Sequence, residues 1–258
     1  MPAPHAAAEA EAHYLRMWRL RQMSSAELRV LLAGAPSEIA PWVESAARYG
    51  LIEAQTRLGQ MRLDGSGVAR DKAAALEWFT RAADAGSPEA MNMVGRCLEN
   101  GWGTEIHLAE AAAQYHASAQ RGHDWGEYNF ANLLFDGRGV PSDRRFALYW
   151  YRRAARQGHA RAMNLLGRCL EQGWGCDPQL HAAALWYQRS AESGYFRGQF
   201  NYAAVLAQHG QAAAAAIWYR KAAAGGDRAI RRAIVTALIH ATHPHLCAAR
   251  TEILARCR

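Results

Sequence analysis

The densest group of potential ligands in the chain is His240, His243, His245 and Cys247, four imidazole or thiol side chains within eight residues. Imidazole nitrogen and thiolate sulfur at such spacing suit zinc or a similar borderline ion. A competing reading is equally local: His243 and His245 flank Pro244, a pattern of helix junctions, where polar side chains face water. The sequence holds no serine-nucleophile elbow, no phosphate-cradling glycine loop after a strand and no His-Glu-x-x-His spacing. Catalytic residues and a cofactor are therefore not expected, and the chain reads as a non-enzyme.

A second constellation is repeated instead of clustered. Residues 91–103, Met91 to Gly103, return 72 positions later as Met163 to Gly175 and are identical at ten of thirteen places. The underlying period is 36: Gly65, Gly101, Gly137 and Gly173 are in phase, as are Gly86, Gly122, Gly158 and Gly194. A period of that length marks a repeat array.

The elements follow from the period. A first helix in each unit carries small or apolar residues at offsets 0, 4, 5 and 8, as in Ala90, Val94, Gly95 and Leu98, which is one helix face. A Gly-x-Gly loop follows, and its glycines suit a turn at positive φ. Asp71 and Asp143 suit the start of a second helix. That helix carries an aromatic pair and two small residues, as in Trp78-Phe79 with Ala82-Ala83 and Trp150-Tyr151 with Ala154-Ala155. Small residues at Gly59, Gly95, Ala131, Gly167 and Ala203 allow neighbouring helices to approach closely. Alternate units depart from the pattern: Gln114 replaces the tryptophan, and His107 and Gln179 replace the aspartate.

Leu58-Gly59, Gly65-Ser66-Gly67-Val68, Asp71, Trp78-Phe79, Ala82-Ala83 and Gly86 resemble one Sel1-like repeat, a 36-residue relative of the tetratricopeptide repeat. Gly137-Arg138-Gly139-Val140, Asp143, Trp150-Tyr151 and Ala154-Ala155 resemble another. The resemblance covers about 37–229. It implies a bacterial all-α protein built as a right-handed α-α superhelix (solenoid) of about five repeats, whose first helices line a concave, protein-binding side. The organisation expected is an N-terminal helical cap (1–36), a half unit (37–50), units 54–89, 90–125, 126–161 and 162–197, a short unit (198–229), and C-terminal capping helices (230–258). The family includes secreted, cysteine-bridged forms, but this chain lacks their paired cysteines within each unit.

Offsets 2, 3, 6 and 9 of the first helices form another stripe, beside the apolar one. It holds Arg57, Asn92, Arg96, Tyr128, Asn129, Asn132, Asn164, Arg168 and Asn201. Asparagine amides could satisfy the backbone of an extended peptide and arginines its carboxylates. The same spacing also fits asparagines that tie neighbouring helices and i,i+3 pairs Arg96–Glu99 and Arg168–Glu171. Trp102 and Trp174 divide in the same way, between ligand anchors and plugs on an adjoining unit.

The formal net charge is +7, with 28 arginines and only two lysines. Residues 138–161 hold seven arginines against Asp143, and 220–258 hold eight basic residues against Asp227 and Glu252. These runs read as solvated helix faces in preference to a nucleic-acid stripe. Five cysteines, an odd number, with Cys97 and Cys169 two units apart at one repeat position, fit reduced thiols and a cytoplasmic location. No membrane span and no secretory leader are read in the sequence. The partner expected is a protein or peptide, bound by a monomer.

Overall fold

The computed structural model describes the backbone of residues 4–256 and the side chains from residue 11 onward, except those of residues 25, 28, 29 and 32. Cys257 and Arg258, counted above among the thiols and the basic residues, lie outside the described residues, as do residues 1–3 and the side chains of Leu28 and Leu32. The described residues form fifteen α-helices and no strand. The chain forms two compact units, Met1–Gly126 and Glu127–Arg258.

The first unit holds α1 (Pro4–Gln22), α2 (Ser25–Leu32), α3 (Pro36–Arg48), α4 (Ile52–Asp64), α5 (Lys72–Asp84), α6 (Pro88–Asn100) and α7 (Leu108–Gln120). Helices α3 to α7 each pack on the next in order, and α1 packs on α3, where His13 Nδ1 lies 2.7 Å from Ser45 Oγ. Ser24 and Glu27 make the reciprocal start of α2 that their spacing suggests: the Glu27 carboxylate accepts from Ser24 N and Ser24 Oγ accepts from Glu27 N.

The second unit holds most of α8 (Asp124–Asp136), then α9 (Arg144–Arg156), α10 (Ala160–Gln172), α11 (Leu180–Glu192), α12 (Phe196–Gln208), α13 (Ala212–Gly225), α14 (Arg228–Ala237) and α15 (Pro244–Ala255). Successive helices from α9 to α15 pack together, and α10 also meets α12, so first helices of adjacent repeats touch. Pro244 is the first residue of α15, where a missing N–H leaves no helical bond unmade. Ile234, Leu238, Leu246, Ala249 and Ile253 close the core at this end.

The aromatic pair of the second helix divides its labour. The second ring is buried in every repeat (Phe79, Tyr115, Tyr151, Tyr187, Tyr219). The first position, Trp78, Gln114, Trp186 or Trp218, is only half-buried, Trp150 excepted. The buried ring lies flat on the small residue of the first helix. A methyl group built on Gly59, Gly95 or Gly167 would come within 2.7 Å of Phe79, Tyr115 or Tyr187 respectively. The glycines noted for close approach thus make room for a ring of their own repeat.

Within each unit, loops meet the preceding repeat, as Gly103 does at Lys72 and Gly175 at Arg144. Asp71 Oδ1 accepts from Ala74 N and Asp143 Oδ1 from Phe146 N, capping α5 and α9, while His107 and Gln179 make no such side-chain bond. The second glycine of the loop is constrained twice. Gly175 has φ +83°, and a Cβ there would stand 2.4 Å from the Arg144 carbonyl oxygen at the start of α9. Gly194 has nearly the same φ, +84°, with nothing within 4 Å.

These two glycines separate backbone strain from close approach. Gly194→Ala should destabilise by about 1–2 kcal/mol, the cost of holding a side chain in the left-handed region. Gly175→Ala should lower the urea midpoint by clearly more, because its Cβ also meets backbone that cannot move aside. Equal midpoints would show that the loop does not lean on α9.

Candidate functional site

The stripe read on the first helices is only partly accessible. Asn92 and Asn164 are 4% and 3% exposed, which corrects the expectation that they present amides to a ligand. Asn164 Oδ1 accepts from Asn201 Nδ2 at 2.7 Å, so that asparagine ties α10 to α12. Asn132 Oδ1 accepts the Tyr151 hydroxyl at 2.7 Å. Tyr128 is stacked on the His159 ring, with centroids 4.7 Å apart, and Asn129 is half-buried beside it in sequence. Arg57 and Arg168 are exposed and Arg96 is half-buried.

The two arginines of the 72-residue repeat occupy matching surroundings. The Arg96 guanidinium lies over the Trp102 ring at 5.2 Å, and Arg168 lies over Trp174 at 5.3 Å. The glutamates three residues on are taken up across the helix pair: Tyr115 Oη donates to Glu99 Oε2 at 2.7 Å, and Tyr187 Oη to Glu171 Oε2 at 2.9 Å. Burial, then the adjacent carboxylate, pushes both hydroxyls far above the ordinary tyrosine range, so each stays a proton donor. Trp174 also packs edge-on against Phe135 of the preceding repeat, at 5.3 Å. It is therefore a plug with one side turned to an exposed cation.

The C-terminal histidines do other work. His243 Nδ1 accepts from His245 N at 3.3 Å at the start of α15, the two rings stack at 5.4 Å, and the Cys247 thiol donates to the Ala241 carbonyl at 3.1 Å. His240 is exposed. Among the described residues no three His, Cys, Asp or Glu side chains stand where they could hold a metal ion, so the convergence required by the metal reading is not found there.

Many arginines of the basic runs are engaged within the fold. Arg144 lies over Phe135 and Arg161 over Tyr195. Arg220 makes a two-point pair with Glu252, and Arg231 and Arg250 donate to backbone carbonyls. No helix among the described residues is long and apolar enough to cross a membrane.

Glu127 escaped the sequence reading. It is fully buried, pairs with Arg153 Nε at 2.9 Å and accepts from Gln157 Nε2 at 2.8 Å. Its signal was present: it stands in phase with Met91 and Met163, both buried, so a charge occupies a core position. A shallow cleft of about 860 Å³ beside α9, lined by Phe146, Tyr149, Arg145, Arg152 and Cys176 among others, was also missed. Aromatic residues at 146 and 149, outside the repeat's own pair, were the available signal.

Two outcomes follow. Glu127→Ala should destabilise by roughly 2–4 kcal/mol by stranding Arg153 and Gln157 over a void. Glu127→Met, restoring the residue of the neighbouring units, should cost less than about 1 kcal/mol; urea midpoints of the two variants decide it, and equal losses would refute the account. For the thiols, burial pushes Cys97 up to about 11 and Cys169 up to about 12. Alkylation of the folded chain at mildly alkaline pH, mapped by mass spectrometry, should therefore modify the half-buried Cys176 and Cys247 well before Cys97 and Cys169.

Comparison with known proteins agrees with the repeat frame. The Sel1 repeat model matches five times, at residues 52–87, 88–123, 126–159, 160–195 and 197–227. A search of curated proteins gave no significant match. Among solved structures, c5321, described as a protective antigen of uropathogenic Escherichia coli strains displaying an SLR fold, is 28% identical with a TM-score of 0.71. The match covers 86% of this chain and 49% of c5321, so the chain spans about half the length of that relative. A Sel1 repeat protein from Oxalobacter formigenes is 24% identical with a TM-score of 0.72, covering 86% of this chain and 95% of its own. The immunity protein Pa5087 from Pseudomonas aeruginosa shares 15% identity and a TM-score of 0.52, with 81% of each chain covered, a likeness of fold alone. With the model matching about two thirds of its length, the chain belongs to the Sel1 repeat family.

Proposed function

We propose that the chain is a non-catalytic interaction scaffold of the kind Sel1 repeat proteins generally are, and that it binds a protein or peptide segment through the first-helix stripe. The observation that carries this reading is the repeated arginine-on-tryptophan pair, Arg96 with Trp102 and Arg168 with Trp174. In each pair the tryptophan rigidifies the guanidinium, and a planar cation held in place loses less entropy on binding a carboxylate. Burial removes Asn92 and Asn164 from the contact set. Arg57 and Arg96 remain in the first unit, and Arg168 with the half-buried Tyr128, Asn129, Asn132 and Asn201 in the second, cationic and amide side chains suited to an acidic or extended backbone partner.

Affinity capture from an extract of the source cell, read by mass spectrometry, tests this with a matched control. Arg96→Ala combined with Arg168→Ala should lose the captured partner while changing stability by no more than ~1 kcal/mol per site. Arg81→Ala combined with Arg189→Ala removes the same kind of stacked cation from second helices, where Arg81 lies over Trp78 and Arg189 over Trp186. That control should keep the partner. Retention by the first variant and loss by the second would overturn the first-helix reading.

A further inference from the structure

Helix α9 is unlike every other second helix. It carries Arg144, Arg145, Arg152, Arg153 and Arg156 and no acidic residue. Two of these are spoken for, Arg153 by Glu127 and Arg144 by the Phe135 ring. Arg145, Arg152 and Arg156 have no carboxylate partner in the described structure. With Tyr149 they fall at i, i+4, i+7 and i+11, one continuous face.

That face borders the 860 Å³ cleft between α9 and the loop Gly175–Gln179 of the next repeat. Its floor is aromatic and exposed: Phe146 is 40% and Tyr149 49% accessible, and their rings stack at 5.9 Å and 16°. Both rings are fixed from beneath by the buried Trp150, at 5.8 and 5.2 Å. Exposed aromatic rings held rigid beside unpaired arginines combine the residue types that dominate binding energy at protein interfaces.

We propose that this cleft is a second docking site, separate from the first-helix stripe, and that it takes an acidic segment of another protein bearing one aromatic or aliphatic anchor residue. The anchor would cover Phe146 and Tyr149, and the flanking carboxylates would pair with Arg145 and Arg152. A nucleic-acid strand fits less well. Asp143 and Asp177 also line the cleft, where they repel a continuous run of phosphates but leave room for carboxylates placed only at the arginines. The arginine row also spans only about 16 Å, from ~1.5 Å of rise per residue.

Fluorescence anisotropy on the full chain tests the site with three labelled probes: a glutamate-rich peptide with one central tryptophan, the same peptide with glutamine for glutamate, and oligothymidylate. The acidic peptide should bind about tenfold or more tightly than the glutamine peptide and weaken with added salt. Arg145→Glu combined with Arg152→Glu should cost a further factor of about ten or more, and Tyr149→Ser several-fold. Both variants alter exposed or half-buried side chains, and unchanged far-ultraviolet circular dichroism verifies their folding. Arg96→Ala combined with Arg168→Ala should leave this binding unchanged, which keeps the two sites distinguishable. No binding of the acidic peptide by the native chain, equal binding by the charge-reversed variant, or tighter binding of oligothymidylate would overturn the proposal.

Discussion

The flat contact of a second-helix ring on a first-helix glycine sets how closely the two helices approach in three of the repeats. Phe79 on Gly59, Tyr115 on Gly95 and Tyr187 on Gly167 leave no room for even a methyl group, so these three helix pairs close to the thickness of one ring. The hydroxyl of that ring is thereby carried to the far edge of the first helix, where Glu99, Asn132 or Glu171 receives it. The apolar contact and the polar contact are two ends of one side chain. A phenylalanine satisfies the first without the second, as Phe79 does, and the repeat still closes. Packing is thus the constant of the array, and the polar edge is where one unit differs from another.

That separation explains what the sequence disclosed. Period, helix order, loop glycines and buried rings are all set by contacts within a repeat or with its immediate neighbour, and such contacts recur in phase. Side chains at the stripe were harder to read, because accessibility depends on a third helix. Asn164 lies on a face that helical geometry alone leaves open, yet α12 approaches α10 and Asn201 bonds to it. Glu99 and Glu171 illustrate the same limit: their spacing from Arg96 and Arg168 suggested pairs along one helix, whereas the tyrosine of the paired helix reaches them. The histidine group near the C-terminus looked like a ligand set because sequence proximity counts all four residues alike. Helix α15 begins between His243 and His245, and that junction turns one imidazole to capping the backbone.

Divergence concentrates in the repeat at 126–161. Where the flanking units have a methionine, arginine and glutamate, it has Glu127, Asn132 and Phe135. Glu127 draws Arg153 inward, Phe135 receives both Arg144 and Trp174, and the remaining arginines of α9 stay on the surface. One buried charge therefore accompanies a cationic outer face, which no neighbouring repeat presents. The substitutions belong together physically: an unpaired carboxylate at a core position would be costly, so Glu127 required a basic residue on the facing helix.

The pair Glu127–Arg153 is weak evidence of added stability, since a hydrophobic pair of similar volume commonly does as well. Its more specific consequence is registry. A repeat array made of near-identical units risks pairing a first helix with the second helix of the wrong repeat. In place of α9, helix α7 would set Ala117 where Arg153 stands and Arg121 where Gln157 stands, and α11 would set Arg189 and Ser193. Neither offers both the guanidinium and the amide that Glu127 engages, so each leaves a buried carboxylate short of a partner. A mispaired arrangement then carries an electrostatic penalty that the native one lacks, as with a single buried polar residue in a coiled coil. On this ground a charge at position 127 would penalise closure by the wrong second helix, a choice that the ring packing common to the repeats does not make.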